Sequence, residues 1–240
     1  MARVLTAAVF VPSPPLLVPE LNGLAANETD ELRSAALAAV SEIGDCTDWV
    51  VVGTGRAVER IAATASGTFR GYGADVRVGL GPDATGEADP ELALPALIAG
   101  WLRGRAAPGV RAEVHVVPVD AGRDECTGLG QRLRAELDEG DKRRGLLVIA
   151  DGAATLTAKA PGAFDARAEA VETDLAAALA AGDPSALAAL DPDLCAGIVL
   201  DGRAAWQVLA GAFTTAPSAV KIVYRGAPYG VGYHVGTWRP

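Results

Sequence analysis

Short β-branched runs and longer alanine-rich amphipathic stretches take turns along most of this chain, and that alternation leaves few folds open. Strands separated by helices predict βα units around a largely parallel sheet covered on both faces. Val4–Val11, Trp49–Gly53, Val76–Leu80, Glu113–Val119 and Gly145–Ala150 read as strands. Glu28–Ile43 after Asn27, Arg56–Phe69, Pro90–Arg105 and Arg123–Glu139 read as helices, and Pro95 is expected to kink or restart the third. From Asp165 onward helices dominate. Ala166–Ala181 stops at Gly182, while Asp183-Pro184 and Asp191-Pro192 each supply an N-cap with a first-turn proline, and Gly202–Phe213 follows. Ala219–Arg225 and Gly230–Trp238, joined by Gly226-Ala227-Pro228-Tyr229, close the chain as a β-hairpin. No linker or composition shift interrupts the pattern. The expectation is therefore one α/β domain over residues 1–240: a mixed, largely parallel sheet with helices on both faces and a C-terminal hairpin.

Composition narrows the function. Aromatics are only 5% of 240 residues, so the core must be built mainly from Ala, Val and Leu. Lys and Arg number 21 against 30 Asp and Glu, a net charge of −9 that repels phosphate backbones and anionic lipid heads. Apart from Lys142 to Arg144 the basic residues do not cluster, so neither nucleic acid nor membrane is an expected partner. No uncharged apolar stretch approaches the ~20 residues of a membrane-spanning helix. Pro12, Pro14 and Pro15 break the apolar start that would otherwise suggest a signal peptide. Three unpaired cysteines fit a reducing compartment, with cytoplasm as the expected location.

In open α/β sheets ligands bind outside the carboxyl ends of the strands, which directs attention to four places: Pro12–Pro15, Gly53–Arg56, Asp151–Lys159 and Tyr229–His234. Gly53-Thr54-Gly55 follows a strand and is expected to precede a helix, the setting of a dinucleotide turn, but Val58 stands where the third glycine belongs. A tight connection is the simpler reading, and nucleotide binding the weakest alternative. No G-x-S-x-G elbow exists, so Ser13 is a turn residue unless its hydroxyl faces a pocket. Cys46, Cys126 and Cys195 read as packing residues. His115 lies mid-strand, whereas His234 follows the glycine- and tyrosine-rich Tyr229-Gly230-Val231-Gly232-Tyr233 and has the better claim to a pocket.

Phe10-Val11-Pro12-Ser13-Pro14-Pro15-Leu16-Leu17-Val18-Pro19-Glu20 resembles the opening of the class III extradiol ring-cleavage dioxygenase B subunits (the LigB family) and of MEMO proteins, where His-Pro-Pro follows the first strand. Trp49–Arg56, Leu147–Asp165 with Lys159-Ala160-Pro161-Gly162, and Pro228–Tyr233 fit the same order. The resemblance implies a single-domain α/β fold with a pocket at the strand ends. In the true dioxygenases it implies Fe(II) held by two histidines and a glutamate, with a further histidine as acid/base. This chain departs at each of these positions. Ser13 replaces the first ligand, Gly53-Thr54-Gly55 lacks the second, Ala154 stands for the acid/base histidine, and Asp201 is the counterpart of the third ligand. Serine and alanine do not replace imidazole as nitrogen donors to iron.

The expected function is thus a LigB-like protein that has lost its iron site, binding a small molecule or acting noncatalytically. Ser13, Asp151, Asp201 and His234 are the candidate reactive residues, and Pro12, Gly53, Thr54, Gly55, Arg56, Tyr229 and Tyr233 the candidate ligand contacts. No cofactor is expected. The alternatives are an active dioxygenase using Fe(II) or another divalent metal on His234, Asp201 and Cys195, and a MEMO-like protein-interaction module. Protein partner and homo-oligomer are left open.

Overall fold

The computed structural model describes residues 5–23 and 29–240; Val4, Asn27 and Glu28 lie outside the described residues. Among the described residues nine strands are formed: β1 Leu5–Val11, β2 Asp48–Gly55, β3 Glu59–Ile61, β4 Ser66–Thr68, β5 Arg77–Gly79, β6 Arg111–Pro118, β7 Arg144–Ile149, β8 Ala219–Gly226 and β9 Tyr233–Arg239. Seven make one sheet in the order β3-β6-β2-β7-β1-β9-β8, and β4 pairs with β5 in a small ribbon. β6, β2, β7 and β1 run parallel. β3, β9 and β8 are antiparallel to their neighbours, so the mixed, largely parallel sheet expected from the sequence is present, with its C-terminal strand pair.

The helices are α1 Asp30–Ser41, α2 Leu94–Ala106, α3 Arg123–Leu137, α4 Ala168–Ala181, α5 Pro184–Ala188, α6 Pro192–Gly197 and α7 Arg203–Ala212. Strand side chains alternate between two cores, as a period of two requires. Ala7, Val9 and Val11 of β1 join α1 and α2 on one face. Ala8 and Phe10 join α3, α4 and α7 on the other. In the second core Phe10 meets Trp206 and Trp238 edge-on at 5.8 and 6.4 Å and Phe213 meets Trp238 at 5.4 Å. Such pairs add to the area they bury. Where α3 crosses α7, Gly130 and Gly211 let the two backbones touch: a Cβ on Gly130 would meet Ala212 N at 2.7 Å, and one on Gly211 would meet Thr127 C at 2.8 Å.

The fold departs from expectation in three places. Arg56–Phe69 is not a helix. Its Glu59–Ile61 adds an antiparallel edge to β6, and its Ser66–Thr68 pairs with β5. A helix there would leave the β6 edge unpaired and would lift Gly67 from its seat against Leu92 and Leu97, where no Cβ fits. The helix expected over Pro90–Arg105 begins only at Leu94, so Pro95 marks its start and does not kink it. It falls in the first turn of α2, where its missing N–H costs nothing. Finally, β9 starts at Tyr233 instead of Gly230, whose φ of +74° ends regular pairing. Among the described residues no helix is long and apolar enough to cross a membrane.

The edge strand β8 carries a bulge between Ile222 and Tyr224 and exposes Lys221 and Arg225.

Candidate functional site

Because β1 and β7 are parallel neighbours, with Val11 paired to Ile149, the loops leaving their carboxyl ends meet. Ala150 donates its amide to Val11 O at 2.9 Å, which carries the register one residue beyond the strands. Asp151 and Ser13 then join twice. Ser13 donates its amide to Asp151 Oδ1 at 2.7 Å and its hydroxyl to Oδ2 at 2.6 Å. Pro12 is buried beside them and Ser13 half-buried.

A second pair lies below. Glu172 on α4 and His234 on β9 are both buried, with Oε1 and Nε2 2.6 Å apart. Glu172 Oε2 accepts the Ala153 amide at 2.8 Å. This carboxylate fits only because Gly152 and Gly232 have no side chains, since a Cβ on either would collide with it. The same two glycines are tied together by Gly152 N to Gly232 O at 2.7 Å, and Gly232 donates to Ala153 O at 2.9 Å. Trp206 closes the group, donating its indole N–H to Asp151 O at 3.1 Å and standing edge-on to the His234 ring. Gly202 backs Asp151 so closely that an added Cβ would lie 2.9 Å from Asp151 N.

Electrostatics follows from this packing. Burial pushes the Asp151 carboxyl up to about 6; the two Ser13 bonds oppose the rise, and the Glu172 and Asp201 charges add to it. Burial also raises the Tyr233 phenol, helped by Asp151 and by Tyr229 and Tyr224. Asp201 is exposed at the rim, two residues after Val199, whose φ of +53° is a rare conformation for a β-branched residue. Val199 O accepts the Ala154 amide, which links this strained turn to the Asp151 loop.

A folded-state value above the ordinary 3.8 means that the folded chain keeps a proton on Asp151 which the unfolded chain releases between pH 3.8 and about 6. The stability tied to that proton is fully present below the lower value and lost as pH rises through the upper one. Asp151→Asn cannot titrate, so its stability relative to the parent should improve by about 2 kcal/mol between pH 4 and pH 7. Urea unfolding at both pH values measures this. A constant difference would show that the carboxyl ionises normally.

The other candidates are distributed more widely. Tyr233 opens β9 next to β1, and Tyr229 is exposed in the preceding turn. Gly53, Thr54 and Gly55 lie inside β2 and are followed by β3, not by a helix, so the phosphate-binding turn does not form. Gly53 is small for another reason: a Cβ there would come within 2.9 Å of Pro95 Cγ, where α2 packs on β2. Thr54, Gly55 and Arg56 line a cavity of about 620 Å³ together with Tyr72, Pro90–Pro95 and Val116, and Ser13, Asp151 and His234 are not among its walls. Of the candidates, Ser13, Asp151, Tyr233 and His234 are brought to the carboxyl ends of β7 and β1 and the start of β9, with Asp201 at the rim.

The iron that the LigB resemblance implies does not fit these residues. Both polar groups of Ser13 are engaged by Asp151, Ala154 has no donor, and His234 is committed to Glu172. His115 sits on β6 beside Glu113, across the sheet. Among the described residues no three His, Cys, Asp or Glu side chains are grouped to hold an ion, and the trio His234, Asp201 and Cys195 is not assembled. Burial raises all three thiols, that of Cys195 to about 11, which removes them as nucleophiles at neutral pH.

Glu172 is the residue the sequence reading missed. It follows Ala168 by four and precedes Leu175 and Ala176 by three and four, so it lies on the inward stripe of α4. An acid on that stripe is a legible signal, because an unpaired buried carboxylate is not stable.

Comparison with known proteins bears on the fold. No family model matches the chain, and no curated protein matches it in sequence. Among solved structures, the uncharacterized protein JW3007 of Escherichia coli K12 is similar with a TM-score of 0.55 at 13% identity, over 98% of this chain and 100% of that one.

Proposed function

We propose that this chain is a LigB-like α/β protein that binds a small organic molecule at the carboxyl end of its sheet without iron. The observation that carries the reading is the double hydrogen bond between Ser13 and Asp151, which fills the place where the family's first ligand would stand. A carboxyl that titrates near neutrality, with a hydroxyl held against it, is equipped to accept hydrogen bonds from a ligand and to take up a proton. It offers iron no nitrogen donor. Three buried free thiols agree with a reducing compartment, the cytoplasm.

The test has two arms. After anaerobic incubation with Fe(II) and desalting, metal analysis should find far less than one iron per chain, and catechol should not be consumed. Stoichiometric iron with catechol turnover would overturn the proposal. In the second arm, thermal unfolding is followed across a panel of small organic acids and phenols. A true ligand at a hundred times its Kd adds about 2.7 kcal/mol, or roughly 5–10 °C for a chain of this size. Ser13→Ala and Asp151→Asn should abolish that shift. A shift that survives both would place the ligand elsewhere.

A further inference from the structure

A nucleophile needs a base in contact with it, a third group that holds the base, and a donor for the charge that develops on the substrate. The Ser13 hydroxyl donates to Asp151 Oδ2 at 2.6 Å, so a proton acceptor already touches the oxygen it would activate. The carboxylate is held by the Ser13 amide, 2.7 Å from Oδ1. His234 is not the base, because its Nε2 is committed to Glu172. Ser13 and Asp151 are both half-buried, which leaves them within reach of a small molecule.

Tyr233 is the independent observation. Gly152 donates to Gly232 O at 2.7 Å, which sets the residue after Asp151 against the residue before Tyr233. The β1–β9 register, with Phe10 opposite Gly236, brings Tyr233 to the level of Ser13. Tyr233 is 3% exposed, yet its hydroxyl makes no hydrogen bond. Among the described residues Trp101 Nε1 is the one fully enclosed side-chain nitrogen or oxygen without a partner, so the Tyr233 hydroxyl opens on accessible space. Burial keeps this phenol protonated, a donor that lacks an acceptor.

From this geometry we infer that the chain transfers acyl groups: Ser13 Oγ attacks the carbonyl carbon of a small uncharged ester, Asp151 takes the hydroxyl proton, and the Tyr233 hydroxyl donates to the oxyanion. The ester C–O bond then breaks, and the departing alkoxide takes the proton from Asp151. Water attacks the acylated Ser13 in the same way. Its proton passes to Asp151 and on to Ser13 Oγ as the carboxylic acid leaves. A single oxyanion donor suits an ester over the less reactive amide. The charges of Glu172 and Asp201, felt by Asp151, disfavour a phosphate or other anionic substrate. The inference rests on Ser13 and Asp151 being the ligand site and adds the reaction that follows binding.

The probe is p-nitrophenyl acetate at pH 8, where a carboxyl raised to about 6 is ionised. Acid quenching and peptide mass mapping should find one acetyl group on Ser13, with a matching burst of p-nitrophenolate. Ser13→Ala should abolish both. Asp151→Asn and Tyr233→Phe should each lower kcat about 100-fold, Tyr233→Phe with KM unchanged. Absence of acetyl from Ser13 at every quench time, acetyl on lysines alone, or unchanged kcat in Tyr233→Phe would each overturn the inference. If Ser13 stays unacetylated while an organic ligand still gives a thermal shift that Ser13→Ala removes, the transfer chemistry falls and the binding site stands.

Discussion

Glu172→Ala is expected to lower the free energy of unfolding by about 3–5 kcal/mol, a large share of the roughly 5–15 kcal/mol that holds a domain together. The substitution removes the acceptor of the Ala153 amide and the partner of His234 in one step, and both groups stay buried. It also empties the space that Gly152 and Gly232 leave for the carboxylate. Glu172→Gln should cost less, because its one carbonyl oxygen can still accept from one of the two donors. Urea unfolding followed by tryptophan fluorescence suits the question, as Trp206 stands edge-on to His234. A loss below about 1 kcal/mol with an unchanged denaturant slope would mean that the pair is not dry in solution.

The next largest effect belongs to the crossing of α3 and α7. Gly130→Ala and Gly211→Ala should each cost about 3 kcal/mol, because the added methyl meets main-chain atoms that cannot rotate away. Gly104→Ala on α2 should act in the opposite direction, gaining about 0.5–1 kcal/mol, since its Cβ would enter open space and alanine is the better helix former. Thermal unfolding of the three variants reads both signs, at roughly 2–4 °C per kcal/mol. Similar shifts for all three would show that helix propensity, not the close approach, governs these positions.

Element types were legible wherever the pattern was long and its punctuation chemical. Asp183-Pro184 and Asp191-Pro192 start α5 and α6, and both aspartates accept amide hydrogens from the first turn. Arg56–Phe69 misled because Ile61, Ala65 and Thr68 have helical spacing, while the demand that set their structure came from elsewhere: β6 needed a partner for Val114 to Val116. The order of the sheet was not legible at all. β7 inserts between β1 and β2, and only that insertion brings Asp151 to Ser13 across 138 residues. Loop positions thus pointed to Ser13, Asp151 and His234 individually, but not to the pairing of His234 with Glu172, 62 residues away. The same logic explains Thr54 and Arg56. They lie at a carboxyl end, as read, but on the far side of β7, and so serve a different cavity.

The two borders of the sheet have a consequence for the molecule in a crowded solution. A strand with one side unpaired is a template on which another chain can grow. At one border the template is three residues long and carries exposed Glu59 and Arg60. At the other, β8 is eight residues long, but its bulge breaks the repeat between Ile222 and Tyr224, and Lys221 and Arg225 put positive charge on either side of the break. An incoming strand meets an interrupted ladder bordered by charged side chains, Arg225 and the Lys221–Glu42 pair. The irregularity in β8 therefore acts as a guard against fibrous assembly, allowing a sheet buried on both faces to end in water without recruiting its neighbours.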